Sequence, residues 1–205
     1  MIPGNSLTLT PQYSIYLIPD GISTPLTQSY ELGGVALYDP SQGMQVQTWM
    51  IEIIPNGING DATISSPTQP PLVLFSLPNF TEISLAFDEN MHPLVTYVSQ
   101  GNAGFYWYDA TLPGYRYTAL PVGATHPQAT LDDKRPTELL LGKSDIIVGY
   151  IYSNDLKFRM QRDRYLIEYN LYTNLTSLLS NPVLVKVGMN SKYRLQFDIA
   201  ATLFQ

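Results

Sequence analysis

The sequence contains no cysteine, and this absence excludes several chemistries before any pattern is considered. Without a thiol among its 205 residues, the chain has no disulfide scaffold, thiolate zinc site, iron–sulfur cluster or cysteine nucleophile. The only histidines are His92 and His126, each followed by a proline and close to acidic residues. A histidine–carboxylate site is one interpretation, but turns explain the same residues. We therefore predict no metal and no cofactor.

Long apolar runs and charged residues are also scarce. No stretch approaches the roughly 18 apolar residues of a membrane span, and no basic segment followed by an apolar run opens the chain. We expect a protein made without an export signal and not inserted in a membrane. Charged residues make up 14% of the chain, against roughly 25% in an average soluble domain. The surface is therefore expected to be uncharged and polar, or covered by partners.

Basic residues are missing from more than half of the chain. Residues 1–115 hold nine acidic and no basic residues, whereas residues 116–205 hold eight acidic and 11 basic ones, a net charge of +3. This distribution argues against specific nucleic-acid binding, which needs a dense basic stripe. The two parts either neutralise each other inside one fold or face each other across a contact between neighbouring molecules.

The densest basic cluster surrounds Arg162 and Arg164, which an extended strand would place on one face. Guanidinium groups bind carboxylates in a bidentate manner. Both arginines are therefore predicted partner contacts on the basic side of such an interface. An internal salt bridge with Asp163 or another acidic residue is the alternative.

Runs of β-branched and aromatic residues, bounded by Pro, Gly, Asn or Asp, recur about every ten residues. Examples are Val46–Ile54, Glu82–Phe87 and Leu94–Val98. This spacing predicts an all-β fold of antiparallel, multi-stranded sheets, either sandwich-like or incomplete and propeller-like.

The distribution of turn residues predicts three parts of the chain. Residues 1–55 form an N-terminal arm and a β segment, residues 56–71 form a surface loop, and residues 72–205 form the main β domain, with one continuous domain as the alternative. The first 20 residues combine alternating leucine and isoleucine with three prolines. This pattern favours an extended arm or edge strand that docks on a neighbour.

A weak internal repeat supports the propeller-like alternative. Leu85–Val98 resembles Ala129–Pro136 continued into Ile146–Ile151, with matched positions 45 to 53 residues apart. This spacing is close to the length of a four-stranded propeller blade. Two or three such units cannot close a propeller of four or more blades, so we expect a sandwich-like closure or a partner that covers the open edges.

Aromatic residues concentrate in Phe105–Tyr108 and Tyr115–Tyr117. Strand alternation places Phe105 and Trp107 on one face, which we predict to be core, and the tyrosines of the first run on the other. With those of the second run they would form a platform for sugar stacking or a protein contact. Cross-strand pairs inside a sheet buried on both faces are the alternative. The predicted contact residues are Tyr106, Tyr108, Tyr115 and Tyr117.

Catalytic motifs are absent from the sequence. It contains no Gly-x-Ser-x-Gly elbow, His-Glu-x-x-His, phosphate loop or dinucleotide fingerprint. Nothing singles out a pair among the 17 acidic residues for glycoside cleavage. We therefore predict a protein that is not an enzyme and has no catalytic residues.

Several short strings lie between about residues 83 and 197. They are Leu85–Pro93, Tyr106–Asp109, Leu131–Arg135, Ser144–Tyr150, Gln161–Tyr165 and Arg194–Phe197. In these strings the chain resembles a family of tailed-bacteriophage virion proteins, usually described as structural or tail-associated. The resemblance implies a non-enzymatic component of the particle, present in many copies, and it transfers no catalytic residue.

Three functions follow as expectations. The first is a structural protein of the tail or head–tail region, made in the host cytoplasm and bound in the virion to copies of itself and to other virion proteins. The second is a virion module that binds host-surface carbohydrate through the predicted tyrosine contacts. The third is a hydrolase of host envelope polymers that uses an unrecognised pair of carboxylates.

Overall fold

The computed structural model is all-β and antiparallel, as the sequence predicts. It describes residues 28–39, 43–67, 69–88, 92–132, 145–175, 180–187 and 192–198. Within these ranges a 3-10 helix spans Gln161–Asp163, and no helix is long and apolar enough to cross a membrane. The strands are β1 (Gln28–Asp39), β2 (Gly43–Asn56), β3 (Asn59–Ser66), β4 (Gln69–Pro78), β5 (Phe80–Phe87), β6 (Pro93–Ser99), β7 (Asn102–Tyr108), β8 (Tyr115–Ala119), β9 (Thr125–Asp132), β10 (Asp145–Tyr152), β11 (Asp155–Met160), β12 (Tyr169–Tyr172), β13 (Ser180–Val187) and β14 (Lys192–Asp198).

The strands form successive meanders in chain order. The first sheet is β1-β2-β3-β4, the second is β5-β6-β7-β8, the third is β9 to β12 in the same order, and β13 pairs with β14 in a fourth sheet. All neighbouring strands are antiparallel. The two halves of the sequence repeat fall on hairpins β5–β6 and β9–β10, which hold equivalent positions in the second and third sheets.

Successive sheets come closest at their first strands. Cα atoms of β5 lie within 8 Å of those of β1 on one side and of β9 on the other, and β9 approaches β13 in the same way. Sheets packed face to face are about 10 Å apart, so the sheets converge at their first strands and their fourth strands lie at the periphery. This arrangement confirms the predicted class of antiparallel, multi-stranded sheets packed on one another.

The second sheet is buried on both faces, between the first and the third sheets. One face packs against the first sheet, and the other packs against the third. A sheet covered on both sides needs nearly continuous apolar strands, and β5 and β6 have this character. The first core contains Ile51, Ala62, Ile64, Phe75, Ile83, Leu85, Phe87 and Val95. The second contains Ala86, Leu94, Phe105, Trp107, Ile146, Val148 and Tyr150, among others.

The predicted surface loop at residues 56–71 is wrong. Residues Asn59–Ser66 form β3, whose Ala62 and Ile64 are buried in the first core. The Asn56-Gly57 pair instead marks a tight turn between β2 and β3, in which Gly57 has a φ of 63°. Pro70 and Pro71 lie on the outer strand β4, where a missing N–H removes no interior ladder bond.

The predicted N-terminal arm, Met1–Asp20, lies outside the described residues. The rest of the predicted N-terminal part contains β1 and almost all of β2, which belong to the same sheet as β3 and β4. The predicted boundary at residues 56–71 therefore falls inside one sheet, because the hydrogen-bonded ladder continues across it.

Candidate functional site

Strands β7 and β8 bring all four predicted tyrosines together. Tyr106 lies opposite Tyr117, and Tyr108 lies opposite Tyr115. The rings of Tyr106 and Tyr115 are nearly parallel, with centroids 4.7 Å apart. The ring centroid of Tyr106 also lies 5.1 Å from that of Tyr117, and the ring centroid of Tyr108 lies 5.3 Å from that of Tyr115. These four residues form a continuous tyrosine cluster at the outer edge of the second sheet.

Phe75 of β4 packs against this tyrosine cluster from the first sheet. Its ring centroid lies 4.7 Å from that of Tyr106 and 5.7 Å from that of Tyr117. The Tyr106 ring therefore lies between other aromatic rings. This packing agrees with the alternative interpretation of the sequence, in which the tyrosines form cross-strand pairs inside a sheet buried on both faces. Tyr115 is 40% exposed and Tyr117 is 55% exposed, so these two provide the accessible part of the cluster.

Burial raises the pKa values of Tyr106, Tyr115 and Tyr117. Burial is the main reason that the pKa of Tyr115 rises to about 12, and the neighbouring Tyr106 and Asp88 add to it. Burial likewise raises the pKa of Tyr106. The accessible tyrosines therefore present neutral hydroxyl groups and apolar ring surface at ordinary pH.

An open groove runs between the first and second sheets beside the tyrosine cluster. Its volume is about 620 Å³. Trp49 and Leu74 line it from the first sheet, and Phe87, Tyr106 and Tyr115 line it from the second. Aromatic and aliphatic walls of this kind accept an apolar segment of another chain or the face of a sugar ring.

Asp109, at the end of the β7 strand, is a buried polar centre that sequence reasoning missed. Its side chain is only 1% exposed. One carboxylate oxygen accepts hydrogen bonds from the Thr111 hydroxyl at 2.7 Å and the Thr111 amide at 3.0 Å. The other accepts from Arg116 Nε at 3.0 Å and from Arg164 Nη2 at 2.6 Å. These donors, the Thr111 hydroxyl above all, hold the pKa of Asp109 well below its ordinary value although burial opposes them.

The Asp109–Arg164 pair shows where the predicted basic cluster lies. The expected extended strand through Arg162 and Arg164 is wrong, because Gln161–Asp163 forms a 3-10 turn and Arg164 has a φ of 51°. Arg164 binds Asp109 within the chain, which is the internal alternative for this residue. Arg162 lies on the exposed surface of the turn. A partner contact through either arginine stays a prediction.

Tyr165 gives the physical reason for this turn. It is 1% exposed, and its ring packs edge-on against Phe105 at 4.8 Å and Trp107 at 4.9 Å. A continued strand would not direct this ring into the second core, and Tyr165 itself has a φ of 59°. Burial of a large aromatic side chain offsets the cost of left-handed backbone.

A second polar network fastens the strands of the third sheet. The buried Tyr150 hydroxyl donates to Glu168 at 2.6 Å, and Lys157 Nζ donates to the same carboxylate at 2.7 Å. Arg159 Nε donates to the Tyr150 oxygen at 3.1 Å. Burial would raise the pKa of Glu168, but the hydrogen bonds from Lys157 and Tyr150 outweigh it and lower that pKa. These hydrogen bonds therefore connect β10, β11 and the segment before β12.

The two histidines lie in separate parts of the fold. His92 Nδ1 is 3.0 Å from Asp88 Oδ2, and the His92 ring stacks on Tyr108 with centroids 3.9 Å apart. His126 Nδ1 is 3.1 Å from Glu82 Oε1. Within the part of the chain that the structure describes, three or more potential metal ligands do not gather at any point. Each histidine thus pairs with one carboxylate, and His92 closes the turn between β5 and β6.

The peripheral fourth strands of the three sheets share one surface property. Each of β4, β8 and β12 exposes apolar or aromatic side chains. Each is also the last strand of its sheet among the described residues. The exposed side chains are Leu72 and Val73 on β4, Tyr115 and Tyr117 on β8, and Leu171 and Tyr172 on β12.

Comparison of the chain with protein-family models, curated proteins and solved structures finds no match. The candidate functional features are therefore identified from the structure of this protein alone. They are the peripheral strands β4, β8 and β12, the tyrosine cluster, and the groove that the cluster borders.

Proposed function

We propose that this protein is a non-enzymatic structural component of a tailed-bacteriophage virion, at the tail or head–tail region. It is made in the host cytoplasm and assembles in the particle with copies of itself and with other virion proteins. The observation that carries the proposal is the apolar character of the three peripheral strands. The resemblance of several short sequence strings to tailed-phage virion proteins supports the same function.

The peripheral strands carry almost no charged side chains, although β4 contains three prolines and β8 and β12 are short. Natural proteins blunt an edge with lysine, inward-pointing charge, proline or a covering element. Strands β4 and β12 contain no charged residue, and the proline pair of β4 stands at its beginning. The only charge on β8 is Arg116, which is directed to Asp109. Such edges suit pairing or side-chain packing with a neighbouring protein.

Two polar networks connect distant segments of the chain with one another. Asp109 connects the second sheet to the turn after β11 through Arg164, and Glu168 connects neighbouring strands of the third sheet. Both carboxylates are occupied by several donors within the chain. Charge-assisted hydrogen bonds of this kind hold sheets in a defined relative position.

The first experiment locates the protein. Quantitative mass spectrometry of purified virus particles from a culture that carries the gene should detect peptides of this chain in many copies per particle. Its consistent absence from intact particles would contradict the proposal. Reducing-sugar release from host envelope polymers by the purified protein would instead identify the hydrolase.

The second experiment tests the peripheral strands. Sedimentation velocity of the purified protein should show self-association that is lost in Leu72→Lys/Leu171→Lys. The control is Ile58→Lys, because Ile58 is also a large, exposed apolar residue but lies in the β2–β3 turn. Loss of association in both variants, or in neither, would show that the peripheral strands are not the assembly surface.

Carbohydrate binding is a second candidate, which the aromatic groove favours. Trp49 and Tyr115 line opposite walls, and aromatic rings stack on apolar sugar faces. A glycan array should then detect binding that Tyr115→Ala abolishes. Tyr172→Ala is the matched control, because Tyr172 is 41% exposed against 40% for Tyr115 and lies far along the chain on β12. Absence of binding by the unmodified protein would eliminate this candidate.

A further inference from the structure

Two arginine side chains meet at Asp109, on the face of the second sheet opposite the tyrosine cluster. Arg116 lies on β8 and points away from its tyrosine neighbours because side chains alternate along a strand. Arg164 follows the 3-10 turn after β11. Both guanidinium groups donate to the same oxygen, Asp109 Oδ2, at 3.0 and 2.6 Å. Because both bonds end on one atom, the two positive groups lie side by side, and we call them the arginine pair.

The Asp109 carboxylate has no capacity for further hydrogen bonds. Its Oδ1 accepts from the Thr111 hydroxyl at 2.7 Å, the Thr111 amide at 3.0 Å and the Leu112 amide at 3.3 Å. Its Oδ2 accepts from the arginine pair. A carboxylate offers about four lone-pair positions, and these donors already fill them. The remaining N–H groups of the arginine pair therefore need another acceptor.

Most of those N–H groups are unused within the described residues. A guanidinium group carries about five N–H donors. In this part of the chain Arg164 donates to Asp109, and Arg116 donates to Asp109 and to the Leu112 carbonyl at 3.2 Å. The two side chains are 44% and 42% exposed. The arginine pair thus presents free donors at the outer surface, between the second and third sheets.

The arginine pair also carries an excess of positive charge. Two guanidinium groups face one carboxylate, and among the described residues neither forms an ion pair with a second acidic side chain. The nearest acidic residue in sequence, Asp163, accepts a hydrogen bond from the Tyr169 hydroxyl at 2.7 Å instead. Adjacent like charges repel each other. A bound anion would therefore stabilise this arrangement.

The fold holds both arginines in place before any ligand arrives. The β7–β8 ladder fixes the backbone of Arg116 opposite Trp107, and the buried Tyr165 fixes the turn that contains Arg164. The buried Asp109 then positions both guanidinium groups. A ligand therefore meets side chains that are already ordered, which lowers the entropic cost of binding.

The surroundings of the arginine pair favour a carboxylate attached to an apolar stem. Planar guanidinium groups bind carboxylates and phosphates through parallel hydrogen bonds. A carboxylate has the single negative charge that balances the pair, whereas a phosphate group carries nearly two. Leu112 and Leu166 lie on the two loops that supply the site and are 54% and 79% exposed. These apolar side chains suit the methylene groups of a glutamate.

We propose that Arg116 and Arg164 form a carboxylate-binding site for a glutamate side chain of a partner protein. The arginine pair holds the carboxylate, Leu112 and Leu166 contact its stem, and Asp109 is a positioning residue. This inference does not depend on the proposed virion function, because the site recognises a chemical group whatever particle the partner belongs to.

The test is a nuclear magnetic resonance titration of the isotopically labelled full-length protein with two short peptides. They are acetyl-Leu-Glu-Leu-amide and acetyl-Leu-Gln-Leu-amide, compared at neutral pH and constant ionic strength. The guanidinium Nε–H signals of the arginine pair should shift saturably with the glutamate peptide. The glutamine peptide should bind about tenfold or more weakly, because hydrogen bonds between charged groups are the stronger ones. Equal binding of both peptides, or no saturable shift, would overturn the proposal.

Variants of the arginine pair locate the binding. Arg116→Gln and Arg164→Gln should each lower the affinity for the glutamate peptide about tenfold or more. The matched control is Arg162→Gln, which removes the same charge from the same turn at a residue that does not donate to Asp109. It should change the affinity by less than about twofold, since exposed charges are screened. An equal loss in the control would show that general positive charge attracts the peptide, which overturns the proposal.

A conservative variant covers the case in which loss of charge disturbs folding. Arg164→Lys keeps a positive charge beside Asp109 but lacks the planar guanidinium group. It should weaken peptide binding while the circular dichroism spectrum stays unchanged. Unaltered binding by a folded Arg164→Lys variant would contradict the proposed geometry.

Acetate and inorganic phosphate distinguish the source of the anion. Acetate has the carboxylate without the peptide and its apolar side chains, so it should bind more weakly than the glutamate peptide. Acetate that binds as tightly would assign the site to a free carboxylate ion. Phosphate that binds more tightly than the peptide would assign it to phosphate groups. Either result overturns the assignment to a partner's glutamate.

Discussion

Replacement of Trp107 by alanine tests the central feature of the fold, the second sheet buried on both faces. The Trp107 side chain is 5% exposed and packs edge-on against Tyr165 at 4.9 Å. Its indole Nε1 donates to Thr118 Oγ1 at 2.9 Å. The substitution therefore removes ring burial, one aromatic contact and one hydrogen bond together.

The magnitude follows from the buried area. An indole side chain buries about 200 Å², which at about 25 cal/mol per Å² is worth about 5 kcal/mol. Residual burial in the unfolded chain reduces this value, and measured costs of similar substitutions are about 3–5 kcal/mol. The expected loss in free energy of unfolding for Trp107→Ala is about 4 kcal/mol. For a chain of this size the melting temperature should fall by about 8–16 °C.

Two further variants separate the contributions. Trp107→Phe keeps most of the ring burial and loses the bond to Thr118, so it should cost about 1–2 kcal/mol. Tyr117→Ala removes a half-exposed ring on the opposite face of the sheet and should cost less than Trp107→Ala. Urea unfolding followed by far-ultraviolet circular dichroism measures all three. An unchanged free energy of unfolding for Trp107→Ala would refute the burial of this face.

Three other predictions concern single residues. Because hydrogen bonds, chiefly from Thr111, lower the pKa of Asp109 below its ordinary value of 3.8, its contribution to stability is present above about pH 4 and lost below it; Asp109→Asn should flatten the acid limb of a melting-temperature profile. Burial raises the pKa of Tyr115 from 10.0 to about 12, so its contribution is present below pH 10 and lost as pH rises toward 12; Tyr115→Phe should reduce this alkaline loss in thermal unfolding. A Cβ atom on Gly104 would lie 3.0 Å from the Thr118 carbonyl oxygen, so Gly104→Ala should lower the free energy of unfolding by about 1–3 kcal/mol in urea titrations. The Asp109 prediction is contradicted if Asp109→Asn has the same acid limb in its melting-temperature profile as the unmodified protein. An unchanged alkaline limb in Tyr115→Phe contradicts the second prediction. An unchanged free energy of unfolding in Gly104→Ala contradicts the third.

Strand content and side-chain alternation follow from local sequence. Runs of β-branched and aromatic residues predict the strands because such side chains fit a pleated, half-buried surface. Alternation alone places Trp107 in a core and puts Tyr106 on the opposite face. The 45- to 53-residue repeat predicts equivalent hairpins in consecutive sheets. These properties depend on neighbours within a few residues, so a single sequence contains them.

The packing partners of each face depend on residues far away in the chain. Alternation does not show that the Tyr106 face meets Phe75 of another sheet, and nothing local predicts that Arg164 binds Asp109, which lies 55 residues earlier. The turn at Arg164 exists because the Tyr165 ring fills the second core, and residues 59–66 become a strand because β2 and β4 supply ladder partners on both sides. The sequence by itself determined strands, their faces and their repeat. Only the tertiary structure decided which faces meet and which edges stay open, because burial and pairing are free-energy terms between distant segments.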